Sequence, residues 1–357
     1  SRSIRAEAAS DGSLKTACGY CAPTRAGRLG GRALSEATGP LVSVLMLAYQ
    51  NEAYVGQAIA SVLAQQCNFA FELLIGEDAS RDGTLKVIER AVRDAPIPVR
   101  VFNRPSNVGM ISNYDLLLRA AQAPYVANID GDDLWVDPRK LQKQIDIIHA
   151  DPNVAMVFGR SEAVDHTGAL VPSVEYLRER AGATVNEIFV KCDIPLSTVM
   201  FRRAWLPSLP TWCMTLPGYD WGIFLLLATK GKVLCVPDVV ARYTWHGLGV
   251  SSGRTGRQHF EANAAHFVAM KREFAAFLGP EALTGARRVL EHSLSWAFRE
   301  ARTLSERLRM SRAYVRCCHA LGVRPAYWWL LDELTQYTWR KMRERKGPAG
   351  DLGRRGG

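Results

Sequence analysis

Between residues 41 and 149 the sequence alternates four times between a short apolar run and a stretch with helical spacing, and nothing else constrains the fold as strongly. Residues 41–47 (LVSVLML) are almost continuously apolar, as expected of a strand covered on both faces of a parallel sheet. Residues 53–66 follow with helical spacing. Further strands are expected at 71–75, 99–102 and 125–129, and further helices at 84–92 and around 112–121. Asp137-Pro138 opens a fourth helix reaching about residue 149, with Asp as cap and Pro in the first turn. Four strand–helix units make a doubly wound α/β sheet.

Right-handed crossovers put every strand's C-terminal end on one edge, which is where open α/β sheets bind ligands. Tyr49-Gln50-Asn51, Glu77-Asp78 and Asp130-Gly131-Asp132-Asp133 each follow a strand, so all three clusters converge there. Carboxylates as close as Asp130, Asp132 and Asp133 oppose one another unless a cation neutralises them. Their hard oxygens suit Mg²⁺ or Mn²⁺, which keep positions open for phosphate oxygens. A solvated acidic turn capping the next helix is the bland alternative, but Asp137 is expected to fill that role.

After residue 150 the alternation breaks. Strands are expected at 154–158, 197–201, 233–236 and 239–244, with a helix at 220–228. From 258 to about 346 the pattern is helical, broken near Gly279-Pro280 and at 322–325. Charge is informative here. The chain carries +10 overall, and residues 251–357 hold 20 Lys and Arg against 10 Asp and Glu, while the first 250 residues balance. Tyr327, Leu330, Leu331 and Leu334 share one helical face, with Trp328, Trp329 and Trp339 nearby and Arg340, Lys341, Arg343, Arg345 and Lys346 following. That pattern suits an amphipathic helix on an anionic membrane surface. The plainer alternative is a stripe packed on the rest of the protein, with solvated charges.

No apolar run approaches the ~20 residues that span a bilayer. No signal-peptide core opens the chain. The expected location is therefore cytoplasmic, or peripheral on the cytoplasmic face of a membrane. The eight cysteines have no framework spacing, in keeping with a reducing compartment. Cys18 and Cys21 lack the second pair that zinc would need, and Cys317 and Cys318 read as packing residues.

Four segments, taken together, resemble family 2 glycosyltransferases. Val42-Ser43-Val44 through Tyr49, with residues 53–65, is similar to that family's opening. Residues 77–84 (EDASRDGT), Asn107-Val108-Gly109 and residues 128–135 (NIDGDDLW) are similar to its next three motifs, the last holding the DxD signature. The resemblance covers about residues 41–250. It implies the GT-A fold, a Rossmann-like, mostly parallel sheet of nucleotide-diphospho-sugar transferases, here with a C-terminal helical extension. The expected layout is a disordered segment (1–39), a GT-A domain (40–252), a basic helical region (253–346) and a disordered tail (347–357). Within the GT-A domain, residues 40–136 would form the nucleotide-sugar half and 137–252 the acceptor half.

Position by position, the resemblance implies that Ala48, Tyr49, Glu52, Asp78, Asn107 and Asp132 bind the nucleotide. Tyr49 would border the base and Asp78 would hydrogen-bond it. Asp130, Asp132, Asp133 and His246 would serve the Mn²⁺ or Mg²⁺. Gly218-Tyr219-Asp220-Trp221 resembles the motif supplying the catalytic base, which makes Asp220 the candidate. Residues 242–246 (RYTWH), with Ser251 and Ser252, resemble the late motif whose His approaches the metal or diphosphate. Two positions depart from the pattern: Ala48 stands where Pro is common, and Tyr219 where a second acid often precedes the base. The QxxRW motif of processive synthases is absent, so transfer of a single sugar is expected.

The implied reaction accounts for these residue types. A metal neutralises the departing diphosphate, and a carboxylate removes the proton of the poorly nucleophilic acceptor hydroxyl. A single separate base predicts inversion at the anomeric carbon. The donor would be a nucleoside-diphosphate sugar, UDP first among the nucleotides, and the acceptor a saccharide or a lipid-linked intermediate. A nucleotidyltransferase would open its first loop with phosphate-binding glycines, which Ala48-Tyr49-Gln50-Asn51 is not. A non-catalytic nucleotide-sugar-binding protein would not need Asp220 beside the acidic triad. Nucleic acid is not an expected partner, because only the basic tail speaks for it.

Overall fold

The computed structural model describes residues 39–165, 167–171, 180–245 and 254–346, with backbone only for 344–346. The two terminal segments, the Cys18–Cys21 pair, His246, Ser251 and Ser252 lie outside the described residues.

The first half is the expected alternation: β1 (Val42–Ala48), α1 (Val55–Leu63), β2 (Phe71–Glu77), α2 (Thr84–Ala91), β3 (Val99–Asn103), α3 (Met110–Ala120) and β4 (Tyr125–Asp130). After the short β5 (Leu134–Trp135) come α4 (Lys140–Ala150), β6 (Val154–Asp165), β7 (Gly182–Ala183), α5 (Val185–Val190), β8 (Met200–Arg202), α6 (Asp220–Ala228) and β9 (Lys232–Trp245). The sheet runs β3-β2-β1-β4-β8-β6-β9-β5, with β7 beside β9. β1 lies between β2 and β4, parallel to both, so the ends Ala48, Glu77 and Asp130 fall on one edge. β8 runs antiparallel between β4 and β6, which returns β6 and β9 to the direction of β4.

The near-continuous apolar strands follow from cover on both faces. Val42, Val44 and Met46 of β1 share one hydrophobic cluster with Ile59, Ile88 and Ile145 of α1, α2 and α4. Leu45 joins the opposite core with Tyr114 and Leu117 of α3, Phe224 of α6 and the C-terminal helices. Those helices are α7 (Gly256–Phe274), α8 (Pro280–Glu300), α9 (Leu304–Leu321) and α10 (Tyr327–Lys346). Phe267, Met270, Ala286 and Tyr314 share one hydrophobic cluster with Phe189 and Phe201, so the extension is built into the core of the sheet's second face. Cys317 and Cys318 pack there, as expected.

Several local expectations are corrected. Residues 197–201 are not one strand: a 3₁₀ turn at Leu196–Thr198 precedes β8. The two strands expected at 233–236 and 239–244 are one, β9. Its Pro237-Asp238 step falls where the register with β6 shifts around Arg160, and Arg160 Nη1 donates to the Pro237 carbonyl at 3.1 Å. α4 begins at Lys140 with Arg139 at the cap position, later than expected. Asp137 instead accepts the Arg139 N–H at 2.9 Å and pairs with Lys143. A further helix break falls at residues 301–303, where Thr303 and Glu306 form a reciprocal cap for α9.

The α10 stripe divides. Leu330 and Tyr337 are buried, and Trp329 and Leu334 pack on the core. Trp328, Leu331, Trp339 and Met342 remain exposed, Trp328 by 86%.

Candidate active site

The loops after β1 and β2 are stitched together by side chains. Gln50 N–H donates to Ser80 Oγ at 2.9 Å, Asn51 N–H to Thr84 Oγ1 at 2.9 Å, and Gly83 N–H to Glu52 Oε2 at 2.8 Å. Glu52 therefore braces the second loop. Gln50 and Ala79 hold positive φ, 54° and 56°, costing of order 1–2 kcal/mol each for residues with a Cβ. Glu77 sustains the second of these by accepting the N–H groups of Ala79 and Ser80. Tyr49 projects at the end of β1, 43% exposed, while Ala48 is buried beneath it.

Asp78 is buried and accepts the N–H groups of Val108 and Gly109 at 2.8 and 2.9 Å, one on each carboxylate oxygen. It anchors the loop that starts α3, a turn that needs glycine because Gly109 has φ +84°. Asn107 caps the same turn through its side-chain oxygen, 3.0 Å from the Gly109 nitrogen. Asp78 and Asn107 thus meet at one loop beside Tyr49's edge of the sheet.

The acidic turn closes against β1. Gly131 N–H donates to the Leu47 carbonyl at 2.8 Å, and a Cβ on Gly131 would lie 2.8 Å from that oxygen and 2.9 Å from Asn51 Oδ1. Asp133 is buried, accepting a short bond from Ser197 Oγ and a longer one, 3.4 Å, from Thr244 N–H. Ser197 Oγ also accepts the Asp130 N–H at 3.2 Å. The 3₁₀ turn carrying Ser197 is pinned in turn, its carbonyl by Trp135 Nε1 at 2.7 Å and the next carbonyl by Gln144 Nε2 at 2.7 Å.

Asp220 is the first residue of α6, with Tyr219 at the cap position, so capping is not its role. Burial pushes the Asp130 carboxyl up to about 8, with Asp132 and then Asp220 adding repulsion. Burial also raises Asp133, with Asp130 and Asp132 adding to it and its two hydrogen bonds opposing. The field of Asp130 and Asp220 further raises the buried Tyr114 and Tyr219 hydroxyls, for which desolvation is the larger cause. Asp130 therefore interacts with both Asp132 and Asp220, and Asp133 with Asp130 and Asp132, at the C-terminal edge of the sheet. Among the described residues, no three His, Cys, Asp or Glu side chains are gathered closely enough to hold a metal ion.

Ser197 and Gln144 support this site from outside every quoted motif, while Trp135 and Thr244 lie in the 128–135 and 242–246 motifs without a role assigned to them there. Ser197 sat in an apolar, β-branched run that reads as strand interior. Only tertiary packing turns its hydroxyl to Asp133.

Residues 43–206 match the Glycosyl transferase family 2 profile. That stretch is a glycosyl transferase family 2 domain. The family 2 sheet carries the GT-A fold, and the protein is a glycosyltransferase. It is 28% identical over 233 residues to the uncharacterized protein Rv1520 of Mycobacterium tuberculosis, covering 65% of this chain and 67% of that one. It is 28% identical over 167 residues to the Escherichia coli UDP-Glc:alpha-D-GlcNAc-diphosphoundecaprenol beta-1,3-glucosyltransferase WfgD, covering 46% of this chain and 62% of that one. In fold it is similar to residues 1–349 of S. aureus TarS in complex with UDP-GlcNAc, with TM-score 0.60 and 19% identity over 86% of this chain and 92% of that one.

Proposed function

We propose that this glycosyltransferase moves one sugar from a nucleoside-diphosphate sugar, UDP first among the nucleotides, to an acceptor hydroxyl, with a divalent metal and with inversion. The acceptor we infer is a saccharide or lipid-linked intermediate of cell-surface glycan synthesis, as in the name of the E. coli relative. The reading rests on the crowding of Asp130, Asp132, Asp133 and Asp220. Mutually repelling, partly desolvated carboxylates are a charge distribution that Mn²⁺ or Mg²⁺ would relieve, and their oxygens are the donors such ions prefer.

Asp130, Asp132 and Asp133, not gathered closely enough to hold an ion as they stand, would have to draw together around the cation, with His246 approaching it. The metal, when bound, neutralises the diphosphate as it departs. Tyr49 borders the base, and Glu52, Asp78 and Asn107 shape the loops against which the nucleotide lies. Ala48 keeps the floor of that loop small. Asp220 takes the proton of the acceptor hydroxyl as the new bond forms, on the side of the sugar opposite the leaving group. The exposed apolar face of α10, followed by basic residues, rests on an anionic membrane surface in this reading, which brings a lipid-linked acceptor to the site. No helix among the described residues is long and apolar enough to cross a membrane.

A thermal-shift panel of UDP, GDP, dTDP, CMP and their sugar conjugates, with and without Mn²⁺, tests the donor site. One nucleoside diphosphate should stabilise the wild type only with metal, and Asp132→Asn should abolish the effect. Folded protein that ignores every nucleotide in the presence of Mn²⁺ would overturn the reading.

A further inference from the structure

The C-terminal helices grip the segment that carries Asp220. On the carbonyl three residues before it, Arg254 Nη2 donates to Pro217 O at 3.2 Å. On the next, His266 Nε2 of α7 lies 3.0 Å from Gly218 O. On the residue after it, the Trp221 indole lies against the His266 ring at 5.1 Å between centroids and against Phe267 at 5.3 Å. Trp221 Nε1 also donates to the Ile188 carbonyl of α5. Both flanks of Asp220 are thus fixed by groups outside α6.

His266 is only 5% exposed, and its Nδ1 lies 2.9 Å from the Ala262 carbonyl. Both ring nitrogens therefore face oxygens that can only accept. Either neutral tautomer donates to one of them and turns a lone pair on the other, whereas a ring protonated on both nitrogens donates to both. A Cβ on Gly218 would lie 3.2 Å from Asp220 Oδ1 and 3.9 Å from His266 Nε2, so glycine here leaves the carboxylate and the imidazole on either side of one small space.

We infer that His266, assisted by Arg254, is a positioning residue for Asp220: the helical extension aims the base at the acceptor. This rests on the assignment of Asp220 above. A base displaced by about 1 Å costs on the order of 100-fold in rate while the donor still binds, because the nucleotide loops belong to the other half of the sheet. The extension is then a working part of the transferase, acting through Arg254 and His266 on the segment that carries Asp220.

The test compares His266→Phe, His266→Gln, Arg254→Gln and Asp220→Asn in steady-state transfer, with donor affinity read separately by thermal shift. His266→Phe keeps a ring against Trp221 but removes both ring nitrogens. It should lower kcat about 10- to 100-fold with the donor KM within about twofold. His266→Gln, which keeps one N–H within reach of Gly218 O, should recover most of the loss. Arg254→Gln, which leaves no hole in the core, should lower kcat by about threefold or more, and it decides the matter if His266→Phe does not fold. Wild-type kcat in the decisive variant, or a loss of donor affinity in parallel with kcat, would overturn the inference. If Asp220→Asn keeps wild-type kcat, the assignment of the base itself has failed, which is a separate result.

Discussion

The Ser197 hydroxyl occupies a position in which one oxygen serves two members of the acidic turn. It accepts the Asp130 amide and donates to the Asp133 carboxylate, a group with little solvent to help it. Hydrogen bonds to buried charges are worth about 1.5–3 kcal/mol each, more than neutral ones. Ser197→Ala should therefore lower stability in urea by about 1–3 kcal/mol and weaken stabilisation by Mn²⁺. An unfolding free energy within about 0.5 kcal/mol of wild type would argue against the contact. Asp130 gives the complementary prediction. Burial, with repulsion from Asp132 and Asp220, holds its carboxyl above the unfolded value of about 4, so above that pH the folded state keeps a proton the unfolded chain has lost. Stability without metal should then fall as pH rises above about 4. Asp130→Asn should flatten that fall, and Mn²⁺ should raise the wild-type Tm more at pH 8 than at pH 5.5. A pH profile identical in Asp130→Asn would remove Asp130 from the charged cluster.

Among the elements, the junction of β1 with the turn after β4 decides whether the site closes. Gly131→Ala would drive a Cβ into the Leu47 carbonyl and Asn51 Oδ1. Neither neighbour is the free end of a long side chain: one is strand backbone, and the other holds the Tyr49 N–H at 2.8 Å. The expected result is about 1–3 kcal/mol of destabilisation together with loss of nucleotide-dependent stabilisation, read in the same melts. A variant that melts and binds like wild type would show the turn to be free of β1. The units of β1, β2 and β4 were legible because strands covered on both faces are largely apolar, while the edge strand β3, half-exposed, was marked by its short apolar run alone. The 3₁₀ turn at residues 196–198 was not legible, since Ser-Thr-Val-Met-Phe at 197–201 reads as strand, and the turn is held by tertiary bonds such as those from Trp135 and Gln144. Nor was the unity of β9, since Pro237 signals a break that the register shifts of β6 and Arg160 absorb.

At the scale of the whole molecule, the sequence divided the chain by composition where the packing has continuity. The basic, helical stretch looked like an appendage because its charge differs. Its buried face nevertheless joins the sheet's core, and a buried face leaves no mark on net charge. The same stretch keeps a second face outward. Trp328, Leu331, Trp339 and Met342 lie along one side of α10, and the cationic Arg340, Lys341 and Arg343 are exposed beside them. Two indoles and three cations placed at a bilayer surface act through different forces. The apolar side chains contribute by area, and the cations contribute about 1 kcal/mol each near anionic lipid, screened by salt. Sedimentation with phosphatidylglycerol-containing vesicles should therefore respond to two independent changes. Trp328→Ser with Trp339→Ser should lower binding at least about tenfold at any ionic strength, without moving Tm, because both side chains are already in water. Raising salt from 0.05 to 0.5 M should weaken wild type further, and vesicles of phosphatidylcholine alone should bind little. Equal sedimentation of wild type and the double variant would overturn the membrane reading. Self-association that needs no vesicles and vanishes in the double variant would assign the same face to a second copy of this chain.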